Sequence, residues 1–225
     1  MALLQEHDRI EVAKLFAELE GETTLLYFGD ADGDCPLCPE TQAFLAELAE
    51  LSDRIALETH DLALDYALAE TYAIERAPAL VLLGPGGWDP GLRFFGIPAG
   101  YEAATIVHDL LLLDRRDSGL SEDSRAALAA LERDVEIKVF VTPTCPYCPR
   151  AALTAHQLAL ASEHIRASVY EVNEFPDLID HYRVMGVPKI VVGKQVEFEG
   201  ARPEHDFVEQ VLAAAAPAQA VGKEE

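Results

Sequence analysis

All four cysteines of this 225-residue chain lie in two copies of Cys-Pro-X-Cys-Pro: "CPLCP", Cys35 to Pro39, and "CPYCP", Cys145 to Pro149. Where such a motif opens a helix, the two thiols lie on one face, a turn apart. The first meets the unpaired N–H groups and positive dipole end of the helix, which favour thiolate and bring a cysteine pKa from about 8.5 into the range of roughly 3.5–7.5. The second can resolve a mixed disulfide formed by the first. The spacing therefore predicts dithiol exchange at two sites, with Cys35 and Cys145 attacking, Cys38 and Cys148 resolving, and each motif closing its own disulfide. Pro36 and Pro146 suit a first helical position, where a missing N–H is no loss. Pro39 and Pro149 remove the N–H that would bond back to the first cysteine's carbonyl, which predicts a loosened first turn.

One ruler runs through the chain. Cys35 to Cys145, Cys38 to Cys148 and Pro78 to Pro188 are each 110 residues apart, and in both halves the first cysteine precedes that proline by 43 residues. This is internal duplication. The coarse secondary structure repeats with it. Helical patterns at 5–20 and 121–134 precede apolar strands, "TTLLYFG" and "IKVFVT", that run into the motifs. Helices follow through "AFLAELAEL" and "AALTAHQLALAS", then strands "RIALETHDL" and "IRASVYEVN", then short helices near 64–74 and 176–184. After each proline an apolar strand turns at glycine into a second strand, and a helix closes the half. The order α-β-α-β-α-β-β-α predicts an α/β fold of two tandem units, each a mixed sheet flanked by helices. The polar stretch "DRRDSGLSED" marks the seam, giving units 1–117 and 118–225.

The prolines have a mechanical reading. A cis X-Pro bond usually marks a tight functional turn. With Pro78 and Pro188 cis and pressed against the cysteines, the backbone of Ala77 or Val187 would align an extended substrate segment with the thiolate.

The net charge of −23 repels phosphate backbones and anionic lipid, so neither nucleic acid nor membrane is an expected partner. The N-terminal stretch lacks the marks of a secretory signal, and no run approaches the roughly 18 apolar residues of a spanning helix. The expected location is the cytoplasm, where cysteines serve redox or metal chemistry more than structural disulfides. The alternative reading is a structural zinc or iron–sulfur protein, but 106 residues separate Cys38 from Cys145, against roughly 15–20 between the pairs of a ribbon-type zinc site. No cofactor is expected, because flavin and nicotinamide motifs are absent. Electrons would then come from a separate reductase of the thioredoxin reductase type, or from a small thiol, and pass to disulfide-containing protein substrates.

Other features read as ordinary structure. The seven histidines show no shared ligand spacing and are expected at the surface. "GPGGWDPG", 84–91, lies between strands and reads as a turn, and Asp30, Asp32 and Asp34 read as a charged loop. That loop makes the two motifs unequal. Residues 1–117 hold 23 acids and 7 bases, a net of −16; residues 118–225 hold 17 and 10, a net of −7. Asp30, Asp32, Asp34 and Glu40 surround Cys35, whereas Arg150 follows Cys145, so at equal burial Cys145 is expected to have the lower pKa.

On "TPTCPYCP", the repeated motif and the repeated proline, the whole chain resembles the glutaredoxin-like protein disulfide oxidoreductases, which fuse two thioredoxin-fold units. The resemblance implies reductase, oxidase and sometimes isomerase activity, with a CxxC and a cis-proline in each unit: Cys145, Cys148 and Pro188 in one, Cys35, Cys38 and Pro78 in the other. The N-terminal domain of the flavoprotein serving alkyl hydroperoxide reductase is similar too, but that domain keeps one CxxC. No flavin domain is expected with the present chain.

Overall fold

The computed structural model describes residues 4–31, 33 and 35–216. The N-terminal half runs α1 (Glu6–Phe16), β1 (Thr23–Gly29), α2 (Cys38–Ala49), β2 (Ile55–Asp61), α3 (Tyr66–Thr71), β3 (Ala79–Gly84), β4 (Trp88–Phe95), a 3-10 turn (Gly100–Glu102) and α4 (Ala103–Arg115). The C-terminal half runs α5 (Glu122–Leu128), β5 (Val135–Val141), α6 (Cys148–Ala161), β6 (Ile165–Glu171), α7 (Pro176–Tyr182), β7 (Lys189–Val192), β8 (Val196–Glu199) and α8 (Glu204–Ala215). The expected order of elements holds in both halves.

The halves do not keep separate sheets. All eight strands join in the order β2-β1-β3-β4-β6-β5-β7-β8, with β4 and β6 paired in parallel from Leu92↔Ala167 to Phe95↔Tyr170. Gly91, at φ +90°, permits this approach: a Cβ there would lie 3.0 Å from the Ile165 carbonyl oxygen and 3.2 Å from Arg166 Cα. Across the seam the rings of Phe95 and Tyr170 stack with centroids 4.6 Å apart.

Strand alternation divides the core into two layers. Leu25 and Tyr27 of β1, Leu80 and Leu82 of β3, Ile137 and Val139 of β5 and Val169 of β6 join the helix residues Phe44, Leu110, Leu158 and Phe207 on one face. Leu26, Phe28, Val81, Phe140 and Tyr170 point to the other face, under Ala69 of α3 and Leu178 of α7. Helices therefore cover both sides. Among the described residues, no helix is long and apolar enough to cross a membrane.

Because the first layer runs unbroken through both halves, we expect one cooperative unfolding transition. Leu110, fully buried on α4, sits in that layer. Leu110→Ala should cost about 2–5 kcal/mol and still leave one transition, with Trp88 fluorescence and far-UV circular dichroism coincident in a urea titration. Separated transitions would show that the halves unfold independently.

Candidate active site

Strand directions put both motifs at one end of the molecule. β1 is antiparallel to β3, β3 to β4, β4 is parallel to β6, and β6 to β5, so β1 and β5 run the same way. Each leads directly into its Cys-Pro-X-Cys-Pro segment. The two strands lie four strand spacings apart in the sheet, roughly 19 Å at about 4.8 Å per spacing. Four sulfurs held on separate strands at that distance cannot close one tetrahedral zinc site. Among the described residues, no three His, Cys, Asp or Glu side chains gather into a metal-sized cluster.

Within each motif the sulfurs are joined. Cys35 is bonded to Cys38 with Cα atoms 5.4 Å apart, and Cys145 to Cys148 with Cα atoms 5.5 Å apart. The helices start later than expected, at Cys38 and Cys148 rather than at the first cysteines. The prolines in the first helical turn are accordingly Pro39 and Pro149, not Pro36 and Pro146. Lacking an N–H, Pro39 cannot bond to the Cys35 carbonyl, and the next available donor is Cys38 N, 3.2 Å away. Cys148 N makes the same short-range bond to Cys145 O at 3.4 Å. The loosened turn is thus real, and the disulfide itself holds the first sulfur against the helix start.

The peptide bonds Ala77-Pro78 and Val187-Pro188 are both cis. Pro78 precedes Ala79, which pairs with Phe28 at the end of β1; Pro188 precedes Lys189, which pairs with Phe140 of β5. Each proline therefore stands beside its motif. In the C-terminal half Cys145 Sγ lies 3.7 Å from the Val187 carbonyl oxygen. The proline carbonyls accept from the neighbouring strand ends, Gly96 N to Pro78 O and Gly200 N to Pro188 O, both at 2.9 Å.

The surroundings of the pairs differ. Cys145 is buried and Cys35 half-buried. Beside Cys35 and Cys38 opens a cavity of about 500 Å³ lined by Tyr27, Asp30, Gln42, Thr59, His60 and Asp61, among others. The backbone N–H groups of Ala31, Leu64 and Ala63 hold Asp61 below the usual carboxylate range, so it stays ionised there. Asp30 accepts from Gly33 N at 2.7 Å; Asp32 and Asp34 lie outside the described residues. Tyr27, under the pair, donates its hydroxyl to Cys38 O at 2.8 Å. Burial pushes its pKa to about 12, with the Glu174 charge adding, so it remains a donor.

At the C-terminal pair no such opening is found among the described residues, because the N-terminal half covers that side. The 3-10 turn packs on α6, and Tyr101 N donates to Pro143 O at 3.1 Å. Gly100, at φ +61°, allows the approach, since a Cβ would overlap the Pro143 carbonyl.

Beneath this turn lies a buried polar cluster that the sequence reading missed. His156, expected at the surface, is fully buried two turns along α6 from Cys148. Its Nδ1 lies 2.6 Å from Asp109 Oδ2 and its Nε2 3.3 Å from Arg93 O, so Nε2 carries a proton and a second lies between Nδ1 and the carboxylate. Burial raises the Asp109 pKa against the opposing pull of His156. Glu102, also fully buried, accepts from Thr105 Oγ1 at 2.8 Å, and burial pushes its pKa up to about 7. Glu102 Oε1 and Asp109 Oδ1 have no hydrogen-bond partner. A signal existed in the sequence: Asp109 interrupts the apolar run "TIVHDLLLL", and His156 sits at helical spacing on an alanine- and leucine-rich face.

Known proteins of this architecture agree with this geometry. The thioredoxin-domain family matches residues 135–213. The structure of a protein disulfide oxidoreductase from Aeropyrum pernix superposes with a TM-score of 0.86 at 30% identity, covering 96% of this chain and 94% of that one. The alkylhydroperoxide reductase flavoprotein component (AhpF) of Enterococcus faecalis, a C503A mutant, gives 0.87 at 29% identity over 93% of this chain and 100% of that one. The chain belongs to the thioredoxin-fold disulfide oxidoreductases. The corresponding alkyl hydroperoxide reductase component of Pseudomonas aeruginosa is 28% identical over 77% of this chain, which spans only 30% of that relative's length.

The buried acid makes a prediction about stability. With a native pKa of about 7 against an ordinary 4.5, Glu102 binds a proton in the native state that the unfolded chain has released. Its contribution is therefore full below about pH 4.5 and is lost as pH rises to about 7. Glu102→Gln removes this dependence. The variant should differ little from the parent at pH 4.5 and be more stable by about 3 kcal/mol at pH 8, read by urea unfolding. A difference that does not change with pH would show that Glu102 is ionised throughout.

Proposed function

We propose that the protein is a cytoplasmic thiol-disulfide oxidoreductase that reduces, forms or isomerises disulfides in protein substrates, using two dithiol sites in units 1–117 and 118–225. The observation that carries this reading is the joined sulfur pair at each helix start, with Cys145 Sγ against the backbone of the residue before cis-Pro188.

In the reductive direction Cys145 thiolate attacks one sulfur of a substrate disulfide, forming a Cys145–substrate disulfide and releasing the other substrate sulfur as thiolate. Cys148 then loses its proton and attacks Cys145 Sγ, which releases the second substrate thiolate. Two electrons pass from the pair to the substrate, two protons make up its thiols, and Cys145–Cys148 is left oxidised. Val187 and Pro188 align the substrate segment at this site, and Ala77 and Pro78 do so for Cys35 and Cys38. A separate reductase of the thioredoxin reductase type, or a small thiol, returns the two electrons. The C-terminal pair engages most substrates, while the N-terminal pair relays electrons or assists isomerisation.

With dithiothreitol as electron source, the protein should reduce an insulin-like disulfide. Cys145→Ser should lower the rate at least about tenfold, whereas Cys148→Ser should accumulate mixed disulfides visible by mass. A Cys145→Ser rate within about twofold of the parent would remove the C-terminal pair as the main site.

The two attacking thiols should also differ. Iodoacetamide rates against pH, on variants keeping only Cys35 or only Cys145, are expected to give Cys145 the lower pKa, because the N-terminal half carries a net −16 against −7. The greater burial of Cys145 acts in the opposite direction. An equal or higher value for Cys145 would show that burial outweighs charge and would remove the basis for the division of labour.

A further inference from the structure

Among the described residues, seven large apolar side chains are exposed; two, Ile10 and Leu15, lie on α1. The other five stand on segments at the dithiol end of the sheet. Leu64 and Tyr66 follow β2, on a stretch tied to the N-terminal motif by Leu62 N donating to Gly29 O at 2.8 Å. The remaining three are brought to the C-terminal pair by three separate segments: Tyr101 is 54% exposed, Tyr147 69% and Met185 90%.

Their placement around Cys145 is set by the backbone. Tyr147 lies between the two cysteines. Met185 stands three residues before cis-Pro188, on the stretch whose Val187 carbonyl meets Cys145 Sγ at 3.7 Å. Tyr101 comes from the other half of the chain, held by its N–H bond to Pro143 O, two residues before Cys145. The 110-residue ruler shows how different the N-terminal site is. Leu37 corresponds to Tyr147 and Glu75 to Met185, while Arg76, beside Glu75, is engaged with Asp177 at 3.2 Å. No repeat precedes β2 as β4 and the 3-10 turn precede β6, so the N-terminal pair has no counterpart of Tyr101. One site is rimmed by apolar groups from both halves, the other by ions.

Exposed apolar groups gathered in this way mark a surface that a partner covers. Tyrosines give rigid contact area, and methionine adapts to varied side chains. We propose that Tyr101, Tyr147 and Met185 form a docking collar for an extended apolar segment flanking a disulfide in an incompletely folded protein, so that the N-terminal half supplies part of the C-terminal pair's substrate site. This rests on the reading of Cys145 as the substrate-facing thiol. The occupant is not a second copy of the chain, since two molecules each of net charge −23 repel. Nor does the collar select by charge. It selects by apolar burial, which incompletely folded chains offer and small disulfides do not.

The test compares two substrates under excess dithiothreitol: a scrambled, disulfide-containing protein and 2-hydroxyethyl disulfide. Tyr101→Ser and Met185→Ser change exposed side chains, which usually alters stability little. Each should lower kcat/KM for the protein substrate roughly fivefold, and the double variant more, as truncated interface anchors do. The small disulfide should react within about twofold of the parent rate, and Tyr101→Phe should keep the parent's behaviour on both. Unchanged protein reduction in the double variant would overturn the collar. So would an equal loss on both substrates, because the residues would then act on the thiol or the fold. Sedimentation of the parent as a dimer that the double variant dissolves, with unchanged kinetics, would assign the surface to self-association and also overturn it. A parent that reduces neither substrate would overturn the oxidoreductase reading on which the proposal stands.

Discussion

The parallel pairing of β4 with β6 is the contact on which the rest of the arrangement depends. Leu92 to Phe95 against Ala167 to Tyr170 turns two sheets into one, so β1 and β5 share a direction and both motifs emerge at the same end. It also carries the chain after β4 across the C-terminal motif, where Gly100 and Tyr101 meet Pro143. An edge strand at this position would leave its N–H and C=O groups unpaired. The seam satisfies them and makes each half a wall of the other.

From this one contact the inequality of the two sites follows. Duplication gave both halves the same strand, motif, helix and cis-proline, so the sulfur chemistry is set up twice. A linear fusion has two ends, however, and only the second half has a neighbour on its β6 side. The C-terminal pair is therefore covered by the 3-10 turn, lies above the Glu102–Asp109–His156 cluster and gains Tyr101 on its rim. The N-terminal pair, beside the outer strand β2, keeps an open acidic cavity with Tyr27 at its base. Burial in the first case, and ionised carboxylates such as Asp61 in the second, give two dithiols of like geometry unlike surroundings.

The buried cluster also shows what the seam costs. Placing Glu102, Asp109 and His156 out of water is unfavourable unless each polar atom finds a partner. His156 does so with both ring nitrogens, but one oxygen of each carboxylate does not. The fold answers by favouring protonated Glu102, which removes a charge rather than pairing it.

Much of this was legible in the linear chain. Cysteine spacing, the repeated proline and strand alternation are local or periodic signals, each fixed by backbone geometry over a few residues, and together they determined the order of elements, the four sulfur positions and both proline positions. Even the loosened first turn could be read, because proline lacks an N–H wherever it stands. The exact helix start could not, since it depends on which carbonyl the displaced donor reaches. Nor could the pairing of β4 with β6, the descent of His156 into the interior beside Asp109, or the arrival of Tyr101 beside Cys145. These join residues far apart along the chain, as Asp109–His156 and Leu92–Ala167 illustrate, and such contacts depend on which surfaces the packed elements turn toward one another. Sequence determined the chemistry that each motif offers. Tertiary structure decided that one site would be walled by its neighbour and the other left open, because coverage depends on where a unit sits in the joined sheet and the repeat is the same in both.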